Sequence, residues 1–168
     1  MVDYPFAWAG ILHRRMLDAG LAAFDDGLHT AEDRPWIWHL HLEAASFAVV
    51  DAPALLYRRG VATSLTQVRD RRQLDFARAM ARVVDIVAQD REAERFLPKA
   101  VSTALALSSH HLVRARRMPR AVRAEMRTAI VGLLRRLPET EVRRALSATE
   151  GSRRRVLAGV LREAGRGA

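Results

Sequence analysis

The stretch Leu74-Asp75-Phe76-Ala77-Arg78-Ala79-Met80-Ala81-Arg82-Val83-Val84-Asp85-Ile86-Val87 sets the character of the chain. Leu74, Ala77, Met80, Ala81, Val84 and Val87 recur at helical spacing and form one apolar stripe, with Asp, Arg and Gln around it. That is the pattern of a helix lying on a core. The same period continues onward and predicts helices over about 91–114, 119–137, 139–148 and 152–164. Pro119 and Pro138 mark starts or breaks and Gly151 a loop.

Toward the amino terminus the pattern is mixed. Trp8, Ile11, Leu12 and Met16 fall roughly on one side of a predicted helix over 6–19, with Gly20 where it would stop. Phe24-Asp25-Asp26-Gly27 has turn chemistry, because Asp and Gly tolerate left-handed backbone. Pro is best tolerated in a helix's first turn, so Arg34-Pro35 predicts a helix to Ala45, capped by Asp33 or Thr30. Phe47-Ala48-Val49-Val50 and Ala54-Leu55-Leu56-Tyr57 read as two short strands, with Pro53 breaking any helix between them. The expected fold class is mainly α, a short strand pair within residues 1–67 followed by a bundle-like helical region over 68–168.

The 168 residues suffice for one ordinary domain with a real core. With no cysteine, a disulfide framework, a thiolate metal site and a cysteine nucleophile are excluded. No run approaches the roughly 20 apolar residues of a membrane span, and the first residues lack a signal-peptide core, so the expected location is cytoplasmic. Charge is unevenly placed. Residues 1–109 hold 13 basic and 14 acidic side chains, whereas residues 110–168 hold 15 and 5, which is the source of the +9 net charge.

The segment most suggestive of chemistry is Gly27-Leu28-His29-Thr30-Ala31-Glu32-Asp33-Arg34-Pro35-Trp36, two adjacent carboxylates at a predicted helix start. Free backbone N–H groups and the helix dipole favour the anion there, which suits a group that accepts a proton. The same placement suits a plain N-cap.

Five elements then stand in order: Trp8 to Arg15; Phe24-Asp25-Asp26-Gly27; Glu32-Asp33-Arg34-Pro35-Trp36; Phe47-Ala48-Val49-Val50-Asp51; and Tyr57-Arg58-Arg59-Gly60 with Ser64-Leu65-Thr66-Gln67. Across residues 6–67 this order resembles the carboxy-terminal half of a family-2 inverting glycosyltransferase of GT-A type. The resemblance implies that Asp33 is the catalytic base acting on the acceptor hydroxyl and that Glu32 positions it or the acceptor. It further implies that Arg58, Arg59, Ser64 and Thr66 bind the donor diphosphate, and that the strand pair belongs to the end of the GT-A domain. A solvated arginine pair and a helix cap at Ser64 or Thr66 explain that loop equally well. The partners implied are a nucleotide-sugar donor and a glycan or polyol-phosphate acceptor, with a divalent metal (Mg or Mn) in the complete enzyme. This chain shows no counterpart of the nucleotide-binding half or its Asp-x-Asp-like metal motif, since Asp25-Asp26 is adjacent and reads as a turn. The expectation is a transferase fragment that is inactive alone, with no metal of its own.

Other constellations carry less. His39 and His41 are two apart and His110-His111 are neighbours, so neither pair has the i, i+4 spacing of a helical metal site. Arg116, Arg120, Arg123 and Arg127 fall near one helical face, beside an apolar one of Val122, Met126, Ala129, Ile130, Leu133 and Leu137. Such arginines face water, or an anionic partner. An anionic membrane surface, at the inner face of the membrane, is one candidate. Nucleic acid is the alternative, although residues 112–168 contain no aromatic side chain for base stacking. A helical module that dimerises through its apolar stripes is a third reading.

Overall fold

The computed structural model describes residues 2–3, 6–51, 56, 64–65 and 67–166, and all regular structure among them is helical. Helices α1 (Arg14–Asp18) and α2 (Asp33–Glu43) precede a 3-10 turn at Arg71–Leu74. After it come α3 (Asp75–Ala88), α4 (Ala93–Ala115), α5 (Arg120–Arg136), α6 (Glu139–Ser147) and α7 (Gly151–Glu163). Among the described residues no helix is long and apolar enough to cross a membrane.

The long helix α4 is the axle, touching α3, α5, α6 and α7. Its buried side is mostly small: Ala100, Val101, Ala104, Leu105 and Ser108. Ala100, Ala104 and Ser108 repeat every fourth residue, a low ridge into which larger side chains of neighbouring helices fit. Pro98 lies inside α4, and the carbonyl its missing N–H would have served is that of Glu94, at the exposed start of the helix. The helix therefore continues through it.

Helix α3 lies among α2, α4 and α5, so its buried face is broader than the sequence stripe. Ala77, Met80, Val84 and Val87 are buried as expected, joined by Phe76, Ala79 and Val83, while Leu74 and Ala81 lie half-buried at the margin. In α2, Trp36, Ile37, Trp38 and Leu40 are all buried, and Trp38 meets Phe96 of α4 edge-on at 6.2 Å. His111 of α4 stacks flat on Phe76 with 3.9 Å between ring centroids, and burial drives its pKa down to about 3. One apolar core runs without interruption from α2 through α7.

Two expectations for the amino-terminal part are corrected. The helix over 6–19 forms only at Arg14–Asp18, where the His13 ring accepts from the Arg15 N–H at 3.2 Å. Residues 6–11 are exposed, and an amphipathic segment with little core beneath it does not offset the cost of helix nucleation. Gly20, at φ +75°, ends α1 with the Leu21 N–H returning to the Met16 carbonyl at 2.9 Å, a left-handed stop. Phe47–Val50 is exposed coil rather than a strand, having no ladder partner among the described residues. Of its expected partner, 54–57, only Leu56 is described, and it is coil.

Much of the basic region is structural. Arg71 makes a forked pair with Glu125, with its closest contact at 2.7 Å, and Arg136 binds Asp85 at 2.7 Å, joining α5 to the 3-10 turn and to α3. Gly165, at φ +73°, ends α7 and turns Arg166 back onto α5. There its guanidinium donates to the carbonyls of Leu134, Arg135 and Leu137 at 3.3, 2.8 and 2.9 Å, satisfying the end of α5 where Pro138 stops the helix. Hydrogen bonds to a charged group that is largely out of water predict a loss of about 2 kcal/mol for Arg166→Ala by urea unfolding. Arg143→Ala, which removes one exposed pair with Glu139 at 3.5 Å, is expected to leave the midpoint unchanged.

Candidate active site

Glu32 and Asp33 stand where the chain is forced to turn into α2. Ala31 has φ +62°, a left-handed conformation that costs a non-glycine residue about 1 kcal/mol. Its surroundings hold it there. The His29 N–H donates to Asp75 Oδ2 at 2.8 Å, and His29 Nδ1 lies 3.2 Å from the same oxygen. The Thr30 hydroxyl donates to the Arg72 carbonyl at 2.6 Å, and Arg78 bridges the Gly27 carbonyl at 3.0 Å and Asp75 at 3.4 Å. On the other side of the loop Phe24 stacks on Trp36 at 5.1 Å, and the Trp36 indole donates to the Ala22 carbonyl at 3.2 Å. The loop over 22–31 is thus fastened to α2 and to the start of α3.

Neither expected cap, Asp33 or Thr30, occupies the N-cap position: Asp33 is the first residue of α2, where the N–H groups of Asp33 and Arg34 still favour its anion. Glu32 is the residue before α2 and is already helical, at φ −60° and ψ −26°, with no side-chain bond to the helix start. A capping side chain reaches the first free N–H groups from an extended backbone, which the turn at Ala31 removes. Thr30, the other expected cap, spends its hydroxyl on Arg72.

Asp33 is half-buried in the first turn of α2. Burial, and after it the neighbouring Glu32 charge, raise its pKa from 3.8 to about 6. The Arg34 charge and the N–H groups of Asp33 and Arg34 pull the other way and are outweighed. The helix start therefore does favour the anion, but less than lost hydration disfavours it. Burial in turn lowers the pKa of Arg34, against the charges of Asp33 and Asp3, and Asp3 is paired with Lys99 of α4. A carboxylate with this pKa is ionised at neutral pH yet basic enough to accept a proton from a hydroxyl in a transition state.

The remaining expected site residues are less informative. Arg58, Arg59 and Thr66 lie outside the described residues. Ser64 is half-buried in a turn closed by the Gln67 N–H on its carbonyl at 2.8 Å, and the next carbonyl, of Leu65, accepts from buried Gln73 at 2.9 Å. Among the described residues no three His, Asp or Glu side chains gather in one group, and Asp25 faces Arg82 at 3.6 Å. An open cleft of about 660 Å³ between α2 and α3, lined in part by His39, Glu43, Arg82 and Asp90, contains neither Glu32 nor Asp33. Sequence reasoning missed two contributors. Asp75, only 8% exposed, organises the loop, and Arg34 is the half-buried cation beside the base. Asp75 gave no signal beyond an acid at a helix start.

Carboxyl-carbon NMR of the labelled protein is expected to show Asp33 titrating near 6, and Glu32→Gln to bring it down toward 3.8, because one raising charge is removed. A midpoint near 3.8 in the wild type would mean that Asp33 is an ordinary solvated acid. No family model, curated protein or solved structure matches the chain, so the site rests on its own geometry.

Proposed function

We propose that residues 6–67 form the acceptor-side segment of an inverting glycosyltransferase of the family-2, GT-A type, with Asp33 as general base. The observation that carries this reading is Asp33 itself, a half-buried carboxylate beside Glu32 whose pKa is raised to about 6 although the N–H groups of Asp33 and Arg34 favour its anion, behind a loop fastened to α2 and to the start of α3. A purely structural acid at a helix start is held in the opposite direction, toward the anion.

The chemistry follows from that poise. The acceptor hydroxyl gives its proton to Asp33 as its oxygen bonds to the anomeric carbon. The bond from that carbon to the nucleoside diphosphate breaks on the opposite face, and the configuration inverts. Burial, and after it the Glu32 charge, keep the base near neutrality. Arg58, Arg59, Ser64 and Thr66 are assigned to the departing diphosphate, for which guanidinium forks and hydroxyls are suited. A nucleotide-sugar donor and a glycan or polyol-phosphate acceptor imply the cytoplasmic side of the cell envelope. A divalent metal belongs to this proposal only as part of the complete enzyme.

A second observation supports a segment that packs against further protein. Ten of the eleven large apolar residues exposed among those described, from Phe6 to Leu65, lie in this part of the chain, and Ile11 and Leu56 are fully exposed. Were these side chains to gather on one face, that face would be of the kind that becomes covered.

Because this segment is expected to be inactive alone, the test uses the complete enzyme from its own cells, assayed for nucleoside diphosphate release from UDP-, GDP- and dTDP-sugars with a cell-envelope extract as acceptor. Asp33→Asn is nearly isosteric and is expected to keep the melting temperature while slowing transfer about 100-fold or more. Wild-type rates in the variant would return Asp33 to a structural role.

A further inference from the structure

The arginines of residues 110–168 divide into engaged and free ones. Arg127, Arg135, Arg136, Arg143 and Arg166 bind carboxylates or carbonyls elsewhere in the fold. The guanidinium groups of Arg116, Arg117, Arg120 and Arg123 are exposed and have no partner among the described residues, and the same holds for Arg144, Arg153, Arg154, Arg155 and Arg162. The latter five belong to α6 and α7, whereas Arg116, Arg117, Arg120 and Arg123 lie at the corner where α4 gives way to α5 around Pro119. No acidic residue occurs between Glu94 and Glu125, so nothing nearby in the chain neutralises them.

The corner is also apolar. Leu112, Ala115 and Ala124 line a groove of about 350 Å³ between α4 and α5, with Arg120, Arg123 and Arg127 as its other walls. Val113, at 47% exposure, is the large apolar side chain exposed outside residues 6–65. Free guanidinium groups around an apolar floor match a surface that offers phosphates above hydrocarbon.

We propose that the α4–α5 corner is a docking surface for an anionic phospholipid bilayer. Arg116, Arg117, Arg120 and Arg123 take lipid phosphates, while Val113 and the groove floor meet the glycerol and upper acyl region. Nucleic acid fits less well, because the phosphodiester backbone makes no use of the apolar floor and no aromatic side chain from Leu112 onward is present to stack on bases. The proposal stands independently of the chemistry assigned to Asp33.

The test is cosedimentation of the full chain with vesicles of phosphatidylglycerol in phosphatidylcholine, against phosphatidylcholine alone, with duplex DNA binding measured in parallel. The wild type is expected to bind only the anionic vesicles, and more weakly as salt rises. The triple variant R116Q/R120Q/R123Q should lose about 5-fold per arginine, on the order of 100-fold in all. A matched variant, R153Q/R154Q/R155Q, removes the same charge from exposed positions of α7 and should lose far less. Val113→Ser should weaken vesicle binding and leave any DNA binding unchanged, with circular dichroism confirming that each variant is folded. Equal losses in the two triple variants would reduce the effect to net charge and overturn the proposal. So would indifference to phosphatidylglycerol, or DNA binding tighter than vesicle binding and insensitive to Val113→Ser.

Discussion

The small-residue side of α4 is the constraint from which the rest of the fold follows. Because Ala100, Ala104 and Ser108 present so little bulk, α3, α5, α6 and α7 can all pack against one helix. That packing fixes α3, and the first residues of α3 hold the loop in front of α2. Asp75 grips His29, Arg72 receives Thr30, and Arg78 binds Gly27, so the left-handed turn at Ala31 is imposed from the bundle. The position of Asp33 is thus a consequence of a core most of which lies far along the chain. A substitution that adds volume at Ala104 would reach the carboxylate through α3, without touching it.

Two opposed physical effects meet at Asp33. A helix amino terminus stabilises an anion by a few tenths of a kcal/mol to about 1 kcal/mol when exposed. Removing a carboxylate from water costs more, and a second carboxylate next in sequence adds to that cost. The pKa near 6 shows which side prevails. Glu32 makes no capping bond, because the left-handed residue at 31 sends it into the helix, and the N–H groups of Asp33 and Arg34 that favour the Asp33 anion are outweighed.

The helical region was largely legible in the sequence, with α5, α6 and α7 falling within about a residue of the limits their proline and glycine boundaries suggest. Periodicity works there because each helix has one face on a shared core. It works less well for α3, where Phe76 and Val83 are buried off the stripe because three neighbours surround the helix. It fails for residues 6–13 and 47–50, whose apolar pattern promised a helix and a strand although little in the described fold receives them. At the site, the Glu32-Asp33 pair was visible as a motif, but its electrostatics were not. Desolvation depends on which residues cover the carboxylate, and the turn at Ala31 depends on bonds to residues more than forty positions away. The free and engaged arginines of α5 look alike in sequence, and only their partners in α3 and α7 separate them.

The central claim is that Asp33 acts as a base whose readiness is set by burial and by Glu32. The pH dependence of sugar transfer by the complete enzyme, measured for the wild type and for Glu32→Gln, tests it most directly. A base works only when ionised, so the wild-type rate should rise with pH through a midpoint near 6 and then level off, and the variant's midpoint should move to lower pH. A rate that is flat across that range, or a midpoint that Glu32→Gln leaves in place, would contradict the account.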